Sequence, residues 1–252
     1  MGITAAGKTR IYNDSPNAHE NVEYENPCAN CSVRDLSFCN CLNNQELEEL
    51  DAIVTHLEVP ARAPIIDEKE PAEFLFNVTG GAVKLYKLLA DGRRQITGFL
   101  FAGDFLGIAM KDNYVYSAES VNKTTLCRFR RTDLEEMVDN HAKLSKQMLN
   151  MASNELEMAQ EQMLLLGRKT AKEKLCSFLL TLSKRAEKRG EAATPIYVPM
   201  SRADIGDYLG LTTETVSRTF TNLKRDRVIR LQEGSMIHLN DLEELEDHAE
   251  GL

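Results

Sequence analysis

Residues 133–166 contain neither proline nor glycine, and Gly167 follows at once, so the spacing predicts one long helix that divides the chain. Within it Leu149, Ala152, Leu156, Ala159, Met163 and Leu166 recur at alternating steps of 3 and 4, the a and d positions of a coiled-coil seam. A second apolar line, Leu144, Met148, Met151, Met158 and Leu165, runs beside it. A helix of this length outgrows any one domain it could cover. Two apolar lines therefore imply two partners, a second copy of the chain on the seam and the preceding domain on the other line, the alternative being one wide face buried within a single copy.

Upstream, short apolar stretches alternate with turn signals from Pro60 to about Phe129: Phe74-Leu75-Phe76, Gly80-Gly81, Val83-Lys84-Leu85-Tyr86, Asp91-Gly92 and Gly103-Asp104. That pattern predicts a compact antiparallel β domain with tight hairpins. Before it, Asn43 or Asn44 caps a helix whose apolar face runs through Leu47, Leu50, Ile53, Val54 and Leu57. Downstream, a helix spans residues 171–188. Ser201 then caps a helix ending near Leu209-Gly210, and Thr212 or Thr213 caps another running through Val216, Phe220 and Leu223. Helix, glycine-containing turn and helix make a helix-turn-helix, and two short strands around a Gln-Glu-Gly turn supply a wing.

Charge follows the same division. The chain carries −9 overall, yet residues 168–231 hold 14 Lys or Arg against 7 Asp or Glu. Positive charge is gathered where phosphates would be met, and the acidic remainder discourages indiscriminate contact. In the second helix Glu214, Ser217 and Arg218 share one face and can enter the major groove together, with Thr213 placed to tune an outer base. Arg218 can donate a bidentate pair to guanine, Glu214 can accept from cytosine, and Ser217 can meet a thymine edge.

Cysteine use points to a metal. Cys28, Cys31, Cys39 and Cys41 crowd a short N-terminal window, with Cys127 in the β region and Cys176 on a helix. No apolar run approaches the roughly 20 residues that cross a bilayer, and no secretory signal is visible, so the expected home is cytoplasmic and no membrane partner is implied. In that reducing compartment six cysteines argue against a disulfide framework. Cys176, among Leu175, Phe178 and Leu179, reads as a buried structural thiol.

Together these segments resemble the Crp/Fnr transcription regulators, and within them the oxygen-sensing Fnr type of the alphaproteobacterial branch. The resemblance spans roughly residues 28–240. Its most specific pieces are Asp91-Gly92-Arg93-Arg94-Gln95-Ile96-Thr97-Gly98-Phe99, Ala102-Gly103-Asp104, Asp204-Ile205-Gly206-Asp207-Tyr208-Leu209-Gly210-Leu211-Thr212 and Glu214-Thr215-Val216-Ser217-Arg218. It implies an α+β fold: an N-terminal cysteine segment on a β-roll (cyclic-nucleotide-binding-like) sensory domain, a long dimerisation helix and a C-terminal winged helix-turn-helix. The boundaries expected are a flexible arm at 1–26, cysteine segment and β-roll at 27–138, dimerisation helix at 139–167, and DNA-binding domain with an acidic tail at 168–252.

The resemblance also implies a [4Fe-4S] cluster held by Cys28, Cys31, Cys39 and Cys127, with Cys41 able to replace Cys39. Soft thiolates suit such clusters. By the same resemblance the protein is a homodimer that reads a TTGAT-type inverted repeat in double-stranded DNA, loses DNA affinity when oxygen dismantles the cluster, and meets RNA polymerase through Asp91, Gly92 and Arg93. It is not expected to be an enzyme.

Several alternatives stay open at this level. Zinc also takes four-cysteine sites, nitric oxide attacks the same iron and sulfur as oxygen, and His19 or His56 offers an axial ligand to haem. Cys28-Ala29-Asn30-Cys31 could serve a thiol oxidoreductase, though no redox-type βαβ pattern accompanies it. Nucleotide binding is disfavoured because Gly103-Asp104-Phe105-Leu106-Gly107 leads into Met110-Lys111-Asp112-Asn113-Tyr114 without the phosphate-binding arginine.

Overall fold

The computed structural model describes residues 26–107 and 112–251. The arm at 1–25, with His19, and the stretch containing Met110 and Lys111 lie outside the described residues. Two 3-10 turns, Arg34–Leu36 and Phe38–Cys41, precede α1 (Asn44–Ile53). Asn43 caps α1: its carboxamide accepts from the Glu46 N–H at 3.0 Å while Glu46 accepts from the Asn43 N–H at 2.7 Å. The helix ends sooner than its apolar spacing predicts. Val54 and Leu57 belong instead to strand β1 (Val54–Val59), because the β-branched run finds hydrogen-bonding partners across from it.

The strands β2 (Pro64–Ile66), β3 (Phe74–Gly80), β4 (Val83–Leu88), β5 (Arg94–Leu100), β6 (Phe105–Leu106), β7 (Ser117–Ser120) and β8 (Thr124–Arg130) complete a roll with β1. One antiparallel sheet has the order β1-β8-β3-β6, the other β2-β7-β4-β5. Alternation along β3 and β8 explains the layering. Phe76, Val78 and Leu126 point into the roll, whereas Leu75, Cys127 and Phe129 point outward into a second core with Leu47, Leu50 and Phe38. The first sheet is thus covered on both faces, which is why β3 opens on the unbroken apolar run Phe74-Leu75-Phe76.

The long helix is interrupted. It is α2 (Arg131–Asn140) followed by α3 (Ala142–Arg168), with His141 in extended geometry between them. Asn and His are weak helix formers, and the His141 ring finds a partner outside the helix, Glu49 of α1 at 2.9 Å. Leu144 is fully buried, and Met148, Met151 and Leu165 pack on neighbouring cores as the second apolar line predicts. Met158 does not, remaining 48% exposed. Along the seam Leu149, Leu156 and Met163 are 71%, 59% and 64% exposed, so this stripe has no cover among the described residues. Leu166 is half-buried, because it reaches the turn at Gly210.

Beyond α3 come α4 (Ala171–Lys188), β9 (Ile196–Tyr197), α5 (Arg202–Leu209), α6 (Thr213–Arg225), β10 (Ile229–Leu231), β11 (Met236–Leu239) and α7 (Leu242–Glu250). The wing has three strands, in the order β10-β11-β9. The acidic tail expected at the C-terminus is largely a helix, since Leu245 and Ala249 of α7 bury against α4. The core of this half continues into the roll through Ala82, Ile96, Phe99 and Phe101. Polar contacts reinforce the junction: Lys84 lies 2.7 Å from Glu119 and 3.0 Å from Asp204, and Arg94 bridges Asp204 at 3.0 Å and Asp207 at 2.8 Å. Arg185 pairs with Asp104 and donates to the Phe99 carbonyl at 2.8 Å. Among the described residues no helix is long and apolar enough to cross a membrane.

Candidate functional site

The cysteine segment is held down by local hydrogen bonds and aromatic packing. The Asn26 carboxamide accepts from the Cys28 N–H at 2.8 Å, and the Arg34 guanidinium closes the following loop on the Leu42 carbonyl at 2.9 Å. Phe38, 1% exposed, drives its ring between Phe105 and Phe129 with centroids 5.0 and 5.5 Å away, edge to face. Gly103, at φ +95°, lets this segment approach: a Cβ there would stand 2.6 Å from the Leu36 Cβ.

The result is a cavity of about 190 Å³ lined by Cys28, Cys31, Cys39 and Cys127, together with His56, Asn77 and Thr79. Cys41 is not among its lining residues. It turns to the Phe38 carbonyl at 3.5 Å, on the side facing α3. Cys176 is fully buried in the core of the C-terminal half. Burial pushes the thiols of Cys28 and Cys127 up to about 12 and that of Cys39 to about 11. For Cys28 the Asp51 carboxylate and Cys127 add to the rise, and for Cys127 the neighbouring Cys31 and Cys39 do.

The donor set fits an iron–sulfur unit: four soft ligands, three of them buried, edge a single space and would repel one another as thiolates without a cation between them. Among the described residues no three His, Cys, Asp or Glu side chains converge on a single metal ion. The thiols border a space rather than a point. Asn77, 3% exposed, leaves its Oδ1 without a partner among the described residues.

At the other end, Ser201 caps α5 in a reciprocal box with Asp204, accepting from its N–H at 3.0 Å. The turn depends on two glycines. Gly210 is left-handed at φ +63°, and a Cβ on Gly206 would come within 2.6 Å of the Leu211 carbonyl oxygen. Thr212, rather than Thr213, caps α6 by accepting from the Thr215 N–H at 3.1 Å. Val216, Phe220 and Leu223 bury one face of α6, and Thr213, Glu214, Ser217 and Arg218 stand exposed on the other. The Ser217 hydroxyl donates to the Thr213 carbonyl at 2.8 Å, leaving its oxygen to accept. Asp91, Gly92 and Arg93 form an exposed hairpin tip between β4 and β5, tied by Arg93 Nε to Asp91 at 2.7 Å.

Sequence spacing does not reveal Phe38, Asn77, Asp51 and Ser37 as neighbours of the thiols, and it offers His56 only as an axial ligand to haem. Cross-strand placement, which a linear pattern does not show, brings His56 and Asn77 to the cavity.

A roll, a long helix with an uncovered coiled-coil stripe and a winged helix-turn-helix with an exposed polar recognition face together define a DNA-binding transcription regulator. Residues 56–141 match the model of the cyclic nucleotide-binding domain, and residues 173–248 that of the Crp-like helix-turn-helix domain. The chain belongs to the Crp/Fnr family. It is 41% identical over 199 residues to the transcriptional activatory protein AadR of Rhodopseudomonas palustris, covering 79% of this chain and 83% of that one. It is 35% identical over 241 residues to the transcriptional activator protein FnrL of Cereibacter sphaeroides, covering 92% and 97%. The structure of FixK2 from Bradyrhizobium japonicum matches with a TM-score of 0.73 at 37% identity, covering 77% of this chain and 96% of that one.

Proposed function

We propose that this regulator senses oxygen through a [4Fe-4S] cluster on Cys28, Cys31, Cys39 and Cys127. One observation carries the reading: three thiols of the N-terminal segment and one of β8 line the same cavity. When bound, the cluster supplies an oxygen-labile clasp between that segment and the roll. Around it the chain's own residues do the transmitting. The Phe38–Cys41 turn packs against α3, and Glu46 and Glu49 of α1 hold Lys143 and His141 where α3 begins. Fixing the segment therefore fixes the base of the dimerisation helix, within a division of 27–138, 139–167 and 168–252.

Pairing uses the exposed stripe of Leu149, Ala152, Leu156, Ala159 and Met163, with Leu166 at its end. Water leaves that apolar surface when two copies meet. A homodimer presents two α6 helices to the halves of a TTGAT-type inverted repeat, where Glu214, Ser217 and Arg218 read bases and Thr213 an outer edge. A coupling of a few kcal/mol moves such an equilibrium from mostly single to mostly paired. Asp91, Gly92 and Arg93 then offer an exposed contact for RNA polymerase, and the site of action is the cytoplasm.

Purification without oxygen tests this directly. The expected preparation is brown, contains iron and sulfide, and is dimeric by light scattering. Air bleaches it and weakens operator binding, and Cys127→Ser is colourless from the start. A colourless, iron-free wild type that still binds its operator would end the reading.

A further inference from the structure

Sheet register sets two polar residues directly across from Cys127, one on each side: His56 on β1 and Asn77 on β3. Residues paired in this way share a face, and all three line the thiol cavity. Their hydrogen-bonding capacities differ. Ser37 donates its single proton to the Val33 carbonyl at 2.8 Å, so towards Asn77 Nδ2, 3.0 Å away, its oxygen can only accept. The Asn77 amide is thereby oriented with one N–H on Ser37, the other towards the Val78 carbonyl at 3.5 Å, and its carbonyl oxygen unpartnered among the described residues. It has no proton placed for a sulfur.

His56 has one. Its Nδ1 lies 3.6 Å from Cys127 Sγ. A metal-bound thiolate carries no proton and can only accept, so the contact survives ligation with the hydrogen on Nδ1. The polar side chain beside Cys28 is of the opposite kind: Asp51 Oδ1, 3.6 Å from the sulfur, accepts from a thiol and has nothing to give a thiolate. His56 is also exposed while lining the cavity, so it is a lining side chain that solvent reaches.

We propose that His56 is a positioning residue for the iron–sulfur site, donating a hydrogen bond from Nδ1 to the Cys127 thiolate and thereby setting how fast oxygen takes the cluster apart. This rests on the reading of the cavity given above. A hydrogen bond to a ligand sulfur withdraws charge from it, which raises the reduction potential of the iron and slows its oxidation. The chain thus holds one corner of the site with a donor and leaves another beside a carboxylate.

Two variants separate donor from bulk. His56→Phe fills the space without a donor, and His56→Asn returns an N–H the same number of bonds from Cβ. Because position 56 is exposed, neither should disturb folding, which far-UV circular dichroism checks. Each full-length protein is isolated without oxygen, assayed for iron and sulfide, and followed by visible absorbance after mixing with air-saturated buffer; the midpoint potential is measured in parallel. The expected result is equal iron content in all three, decay roughly three- to tenfold faster in His56→Phe with a lower potential, and recovery towards wild type in His56→Asn. Equal decay and potential in wild type and His56→Phe would overturn the proposal, as would failure of His56→Asn to recover. Loss of iron from both variants as isolated would make His56 a ligand and overturn it too. A wild type without iron–sulfur absorbance would instead remove the reading on which it rests.

Discussion

The DNA-reading half and the thiol-lined cavity are built on opposite plans. In the helix-turn-helix every start and stop is satisfied from within: Ser201 and Thr212 cap the helices, Gly210 turns the chain, and Val216, Phe220 and Leu223 fill the core. The cavity is unfinished on its own terms. It collects thiols that burial keeps protonated, and an amide oxygen with no donor among the described residues. A region complete in itself presents a constant surface, whereas one that needs an occupant reports whether the occupant is there. On the function proposed above, the difference divides the labour between reading and sensing.

The largest way to break that contrast is Phe38→Ala. Removing a ring this buried costs about 3–5 kcal/mol, and the loss should appear in denaturant unfolding of cluster-free protein. If stability falls by much less, the aromatic contacts do not hold the cysteine segment down, and the cavity owes its shape to something else. Next in size, Arg218→Ala should weaken operator binding by about 1–3 kcal/mol and relax discrimination at one base pair. Fluorescence anisotropy should give the same factor in cluster-loaded and air-treated protein. A factor that depends on air would show that the reading face is itself remodelled by the sensor. The smallest effect sharpens the comparison within one short turn: Cys41→Ser should retain full iron content, and Cys39→Ser should lose it. The reverse outcome would exchange their places as ligands.

The extent to which these regions could be read from sequence follows the same line. Helix α4 and the caps of α5 and α6 are local matters, decided by residues within four positions of each other, and the sequence pattern places them well. The thiols of the cavity are likewise visible as a spacing. What surrounds them is not, because His56 meets Cys127 and Ser37 meets Asn77 only through strand register and packing between distant segments. The same kind of non-local contact ends the long helix at His141, where Glu49 of α1 offers the ring a partner. It also makes α7 a helix, since Leu245 and Ala249 have α4 to bury against. The composition of that segment alone reads as an acidic tail.

Asp204 has a consequence of another sort. The carboxylate that fixes where α5 begins is also the one that Lys84 and Arg94 grip from the roll. Burial alone would raise it, but the Ser201 hydroxyl and Lys84 more than offset that and hold it below the usual carboxylate range. If the reader pivots away from the roll, two cations lose a counter-charge while the helix keeps its cap. Such a pivot would therefore be opposed by electrostatics at the junction while leaving the helix start, and with it the surface beyond, undistorted.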